Sequence, residues 1–209
     1  DGMRGIAVLL VVIYHVGEFL GPEYSAYQPY ILALNHGVTI FFVLSGLLIT
    51  WLFLNEEKKY ENISLKNFYI RRTMRILPAV ILYLGVMAIL KVADFEGYTI
   101  ESSWYQFASA AFFLKNMVYP VGMEVGHFWS LAIEEHFYLI WPLILIFLKG
   151  TKPRLILLCT IVCLAPFWRH ANLVMFGAEM VNWKRTDIRI DPIIYGCILA
   201  LFRETKAIN

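Results

Sequence analysis

An all-α bundle of membrane-spanning helices is the fold this sequence predicts, and three observations carry the prediction. Of the 209 residues, 59% are hydrophobic and only 16% are charged, where a soluble domain is about 45 to 50% apolar and about 25% charged. Mean hydropathy is +0.62. Apolar runs close to the ~20 residues that a bilayer crossing needs recur along the chain. A net charge of +2 is too small to point to nucleic acid, and the basic residues read instead as markers of membrane sidedness. The three cysteines, Cys159, Cys163 and Cys197, stand in apolar runs without metal-ligand or paired-redox spacing. They are read as small buried hydrophobes, and no metal is expected.

The first span, about Arg4 to Leu20, places Arg4 and His15 eleven residues apart. Eleven residues make about three helical turns, so the two side chains share a face about 16 Å apart along the axis. An unpaired charge in lipid costs about 3 kcal/mol even on lenient insertion scales, so this face is expected to point at protein or water. Gly21 to Tyr30 contains no lysine or arginine, and a second span follows over Ile31 to Leu54. Its Ser45-Gly46 pair reads as close helix packing. Glu56 to Arg75 then carries Lys58, Lys59, Lys66, Arg71, Arg72 and Arg75. That asymmetry marks this segment, and with it the N-terminus, as cytoplasmic. Ser64 is a plausible N-cap for an interfacial helix that runs into the third span, which contains Pro78 and ends near Leu90.

Trp104 to Val118 is apolar but only fifteen residues long and contains Lys115, which suits a re-entrant or interfacial segment better than a span. On that reading the next span, Phe128 to Leu148, returns Lys149, Lys152 and Arg154 to the cytoplasm. A fifth span covers Leu155 to Phe167, closed by Trp168, and a last one covers Pro192 to Phe202. Arg169 to Asp191, an outer loop in this topology, carries Arg169, Lys184, Arg185 and Arg189 against the sidedness pattern. Either the topology changes there or those cations face an anionic ligand. The chain has no initiator methionine, starts at a helix start and stops soon after an apolar segment. It reads as a single transmembrane domain over 1–209, truncated at both ends, with about six spans.

The second polar constellation is HFWSLAIEEHFY, His127 to Tyr138. On a helix His127, Ser130, Glu134 and Tyr138 fall within an arc of about 80°, Glu135 is one step round and His136 lies on the far side. Glu134 would lie about 9 Å and His15 about 13 Å below the outer boundary of a core about 30 Å thick, so the two can meet. A histidine held by a carboxylate is a serviceable general base for a hydroxyl. The plainer alternatives are an interhelical hydrogen bond for His15 and an ion pair of the glutamates with Arg4 or Arg189. Arg71, Arg72 and Arg75 form a cationic group whose guanidinium forks suit phosphate, with contact to anionic lipid as the alternative.

Together these residues resemble the membrane-bound acyltransferase family 3. The resemblance rests on RGIAVLLVVIYH, FFVLSGLLI, FYIRRTMRILP and HFWSLAIEEHFYLIWP in that order, with RTDIRIDPIIYGCILAL similar to a later family segment. Departures are Thr39, where an aspartate is frequent, and Leu47, where a phenylalanine is frequent. The resemblance implies about ten spans in the whole protein, of which this chain has roughly the first half, in the plasma or inner membrane. It also implies transfer of an acyl group, commonly acetyl, from cytoplasmic acyl-CoA to a hydroxyl of an extracytoplasmic sugar, polysaccharide or lipid-linked glycan. On that carry-over His15 is the catalytic histidine, Arg4 its motif partner, and Glu134 and Glu135 the carboxylates. Arg71, Arg72 and Arg75 face the coenzyme phosphates, and His127, Ser130, Arg189 and Asp191 are expected at the acceptor. Direct base catalysis and an acyl-histidine intermediate are both open. The rival reading is a proton-coupled transporter with His15, Glu134 and Arg4 as a relay.

Overall fold

A computed structural model describes residues 2–18, 27, 30, 33–34, 36–93, 100–118 and 122–208. The helices are α1 (Gly2–Glu18), α2 (His36–Tyr60), α3 (Leu65–Ala93), α4 (Trp104–Ala111), α5 (Met123–Gly126), α6 (Phe128–Phe147), α7 (Thr151–Phe176), α8 (Thr186–Arg189) and α9 (Asp191–Ile208), with a 3₁₀ turn over Lys115–Met117. No strand occurs among the described residues. Four helical stretches are long and apolar enough to cross a membrane: His36–Tyr60, Leu65–Ala93, Glu124–Phe147 and Thr151–Phe176. The all-α membrane bundle expected from composition is therefore what the chain forms. Large apolar side chains face outward along α3 and α7, among them Leu82, Ile89, Ile156 and Phe167. Such a surface is suited to lipid or to further helices.

Several boundaries differ from expectation. One start agrees: the helix expected to begin after Ser64 and run into the third span is α3, continuous from Leu65 to Ala93. The Ser64 carbonyl accepts from the Phe68 N–H, and the Glu56 carboxylate accepts from the Ser64 N–H at 3.0 Å. The fifth span does not close at Trp168 but continues to Phe176. Pro166 alone does not end an apolar helix. The stop comes at Gly177, which has φ 76° and serves as the left-handed C-terminal residue such ends favour. Likewise α2 runs past Leu54 to Tyr60, because Asn55-Glu-Glu-Lys-Lys can continue a helix, and Glu61 at φ 54° ends it. The last helix is longer than the expected Pro192 to Phe202 segment, and it carries Asp191, Arg203, Glu204 and Lys206. Trp104 to Val118 does not span: it is the short helix α4, capped reciprocally by Ser103 and Gln106, followed by Phe113 at φ 55° and the 3₁₀ turn. The ends of the expected first span and the start of the second, at 19–20 and 31–32, lie outside the described residues.

Contacts divide the chain into two compact units, Asp1–Asn55 with Lys149–Pro166 and Ile190–Asn209, and Glu56–Leu148 with Phe167–Arg189. In the first unit α2 and α9 cross with no side chain between them. A Cβ on Gly46 would strike the Ile193 carbonyl, and one on Gly196 would strike the Val43 carbonyl. Each glycine lies against the other helix's backbone, which in lipid substitutes dispersion for the missing hydrophobic drive. Cys197, fully buried, has the Thr50 hydroxyl on its thiol. In the second unit α3 and α6 run antiparallel: Tyr69 Oη donates to the Leu139 carbonyl at 3.0 Å, and Tyr83 Oη to the Glu124 carbonyl at 2.7 Å. Val80, Met87, Phe107, Val125 and Phe128 form the core between α3, α4 and the start of α6.

Gly46→Leu and Gly196→Leu should each force the α2–α9 crossing apart and cost about 1 to 3 kcal/mol, the range for overpacking. Thermal denaturation in detergent reads this out, with Gly85→Ala, which meets nothing within 4 Å, as the neutral control.

Candidate active site

The second unit contains a buried ionic cluster in which one guanidinium serves two carboxylates. Arg72 Nη2 lies 4.0 Å from Glu134 Oε2, and its Nε lies 3.6 Å from Glu135 Oε1. The guanidinium also lies over the Tyr138 ring, 3.5 Å from its centroid, and Tyr138 Oη donates to Glu134 Oε1 at 3.1 Å. Glu134 is 4% exposed and Tyr138 is 1% exposed. Helical spacing explains the arrangement: Glu134 and Tyr138 are one turn apart and clamp the same cation from α6, while Arg72 reaches across from α3. The contacts to Glu134 and Glu135 are long for charge-assisted hydrogen bonds. Both Arg72 Nε and Glu135 Oε1 are buried without a hydrogen-bond partner among the described residues. These two enclosed atoms face each other across the 3.6 Å contact, so Glu135 turns its Oε1 to Arg72.

That oxygen's residue lines a cleft of about 230 Å³ together with Arg72, Thr73, His136, Tyr69 and Phe113. His136 was expected on the far side of α6, away from the glutamates, and it is indeed turned from Glu134. It nevertheless reaches the same cleft as Glu135. Its Nδ1 lies 2.7 Å from Thr186 Oγ1, and the same hydroxyl accepts from Asn116 Nδ2 at 2.7 Å. Asn182 Nδ2 donates to the Asn116 carbonyl at 2.9 Å. Two chain segments, one with Asn116 and one with Asn182 and Thr186, therefore fix one imidazole, an order that no local spacing in the sequence announces.

The three arginines do not act as one group. Arg71 and Arg75 are exposed while Arg72 is half-buried against the glutamates. Positions 71 and 75 are i and i+4 and share a helix face, from which position 72 is turned by about 100°. Arg72 is thus the partner of Glu134 and Glu135, the ion pair considered above with Arg4 or Arg189 instead. In the first unit Arg4 Nη2 donates to Ser45 Oγ at 3.3 Å and its guanidinium lies 5.7 Å from the Phe41 ring centroid. His15 is on the same helix, exposed, with its ring edge-on to Tyr14. His127 sits at the break between α5 and α6, exposed, with its ring edge-on to Tyr83, and its carbonyl accepts from Ser130 Oγ at 3.1 Å. Arg189 ends α8 and Asp191 begins α9, both half-buried.

The cationic segment 169–189 uses much of its charge on itself. Asp187 takes Arg185 through two hydrogen bonds, at 3.1 and 2.6 Å, and accepts from the Trp168 indole at 2.7 Å. Arg169 Nε donates to the Ile188 carbonyl at 3.0 Å. No group of three or more histidine, cysteine, aspartate or glutamate side chains suited to a metal occurs among the described residues.

Replacing Arg72 with Met should leave two carboxylates buried without their cation, at a cost of about 3 to 5 kcal/mol, the range for breaking one half of a buried pair. Arg72→Lys should recover only part, because an ammonium cannot fork to two acceptors or stack on Tyr138 as a planar guanidinium does. Denaturation midpoints of the two variants against the native protein check both statements.

The acyltransferase domain family model matches residues 1–208. The chain is 33% identical over 223 residues to the peptidoglycan O-acetyltransferase OatA of Listeria monocytogenes, covering 96% of this chain and 33% of that protein. It is 30% identical over 225 residues to the O-acetyltransferase OatA of Staphylococcus aureus strain NCTC 8325, covering 96% of this chain and 34% of that one. No solved structure matches. The chain spans about a third of the length of these curated relatives, and with nearly every residue inside the matched domain it belongs to the membrane-bound acyltransferase family 3.

Proposed function

We propose that the protein of which this chain is part transfers an acetyl group from cytoplasmic acetyl-CoA to a hydroxyl of an extracytoplasmic cell-wall glycan. The observation that carries the reading is the family match over 1–208, joined to a buried Arg72–Glu134–Glu135–Tyr138 cluster in the segment the resemblance marked. The relatives named above as O-acetyltransferases favour acetyl as the group and, through the Listeria protein's name, a peptidoglycan acceptor.

The division of labour follows from chemistry. Coenzyme A is a polyanion that does not enter lipid, so its phosphates need cations at a surface while its thioester arm reaches inward. Arg71 and Arg75, exposed on one face of α3, are the arginines available for that, and Arg72 is committed to the glutamates. His15 takes the proton of the acceptor hydroxyl. The oxygen attacks the thioester carbonyl, the tetrahedral intermediate expels the coenzyme thiolate, and the imidazolium returns the proton to that sulfur. An N-terminus on the cytoplasmic side puts Arg4 near the donor and His15 toward the acceptor.

Membranes carrying the full-length protein should transfer labelled acetyl from acetyl-CoA to glycan, and His15→Ala should reduce transfer by at least a hundredfold, the lower range for general-base loss. Transfer by His15→Ala at the native rate refutes the mechanism. Uptake of glycan or protons without transfer would replace the enzyme with a carrier.

A further inference from the structure

The transfer chemistry above leaves the cleft between α3 and α6 without a task. At about 230 Å³ it is smaller than the roughly 300 to 1,000 Å³ of pockets that enclose a whole small molecule. It therefore fits one segment of a ligand. Thr73, Phe112 and Leu139 line it and are exposed, so the space opens to the surface of its unit.

The two walls differ in chemistry. One is apolar, made by Phe112, Phe113, Leu139 and the Tyr138 ring. Phe113 is a fixed part of it: a bulky residue at φ 55° keeps that conformation only when its surroundings hold it. Its N–H donates to the Ala110 carbonyl at 3.1 Å, its carbonyl is directed at the His136 ring, and its side chain packs on the core around Phe107. The other wall is polar. It has the Glu135 side chain, 21% exposed, the Thr73 hydroxyl, and Tyr69 Oη, which donates to the Leu139 carbonyl at 3.0 Å and keeps its oxygen to accept. Arg72 meets two carboxylates, so acid is in excess and an oxyanion is disfavoured here. What fits is an uncharged segment with O–H and N–H donors on one side and alkyl groups on the other.

The neighbours on α3 select the ligand. Arg71 and Arg75, the exposed arginines assigned above to the coenzyme phosphates, share with Tyr69, Arg72 and Thr73 a stretch of about 9 Å along the helix axis, and Arg75 stands about 60° round the helix from Arg72. The part of coenzyme A joined directly to its diphosphate is the pantoyl unit. It is uncharged, with geminal methyl groups, a secondary hydroxyl and an amide N–H. Resting on the acyl-transfer reading above, we propose that the cleft of Tyr69, Thr73, Phe113 and Glu135 is the subsite for the pantoyl segment of the acyl donor, the methyl groups against Phe113 and the hydroxyl on Glu135 and Thr73. Arg71 and Arg75 hold the phosphates outside the cleft, and the thioester, at the far end of the arm, lies beyond it. Glu135 then has a task that Glu134, enclosed with Tyr138, cannot share.

The test is equilibrium binding to the full-length protein in nanodiscs without acceptor, so that it is independent of transfer. The probes are D-pantetheine, L-pantetheine and adenosine 3′,5′-diphosphate. The native protein should bind D-pantetheine about tenfold more tightly than the L form, whose hydroxyl is misdirected, the scale of one hydrogen bond lost with its partner left unpaired. Thr73→Trp, at an exposed rim position, should abolish D-pantetheine binding and leave the nucleotide bound, and Arg71→Gln combined with Arg75→Gln should do the reverse. Equal affinity of the native protein for the two pantetheines, D-pantetheine binding that survives Thr73→Trp, or nucleotide binding indifferent to both arginine changes overturns the proposal. Binding of N-acetylglucosamine instead of D-pantetheine, lost in Thr73→Trp, gives the cleft to the acceptor and overturns it as well. Should Thr73→Trp not fold, Thr73→Val decides: a D-to-L ratio reduced toward one supports the subsite, and an unchanged ratio refutes it. Absence of acetyl transfer alongside a retained D preference would instead fault the enzymatic reading and leave the subsite standing.

Discussion

The fold around the candidate site depends on a single guanidinium bridging α3 and α6. Two adjacent carboxylates on an apolar helix could not remain there by themselves, since desolvation of each costs several kcal/mol. Arg72 offsets that cost from the neighbouring helix, with Tyr138 supplying both a hydrogen bond to Glu134 and a ring face to the cation. The match also sets register: Tyr69 against Leu139 and Tyr83 against the Glu124 carbonyl lie on either side of it, and sliding either helix by one turn would strand the charges. The cluster thus does for α3 and α6 what the reciprocal glycines Gly46 and Gly196 do for α2 and α9, one by charge and the other by shape.

A cluster with one cation and two acids has capacity to spare. Glu135, whose Oε1 faces Arg72 Nε, stands at a cleft with His136. Around that cleft the polar groups are held by residues distant in sequence, Asn116, Asn182 and Thr186. Such cross-linking keeps a site's side chains in place when its helices are otherwise joined by nondirectional apolar contact. The segment 169–189, anomalous as an outer loop, is understandable as the structure that closes this network, with Asp187 neutralising Arg185 and capturing Trp168.

What the amino-acid order determined was the class of solvent and the menu of elements. Composition alone required a helical membrane bundle, because in lipid every backbone polar group must be satisfied within its own segment. The short, lysine-bearing run at 104–118 was legible as a non-spanning segment for the same reason. The carboxylate pair was conspicuous because acids are costly in apolar helices, and the ordered motifs gave the family. Local signals misplaced the ends of α2 and α7, where polar helix formers or a proline imitate a stop that only Glu61 and Gly177 supply.

The partners were decided by tertiary structure. No rule of spacing joins Arg72 to residues more than sixty positions later, divides it from Arg71 and Arg75, or brings His136 to Thr186, because side chains on different helices meet according to crossing and register rather than sequence distance. The same holds for Lys115: the sequence could report a lysine in an apolar run, but only packing shows that its ammonium is enclosed, with no hydrogen-bond partner among the described residues.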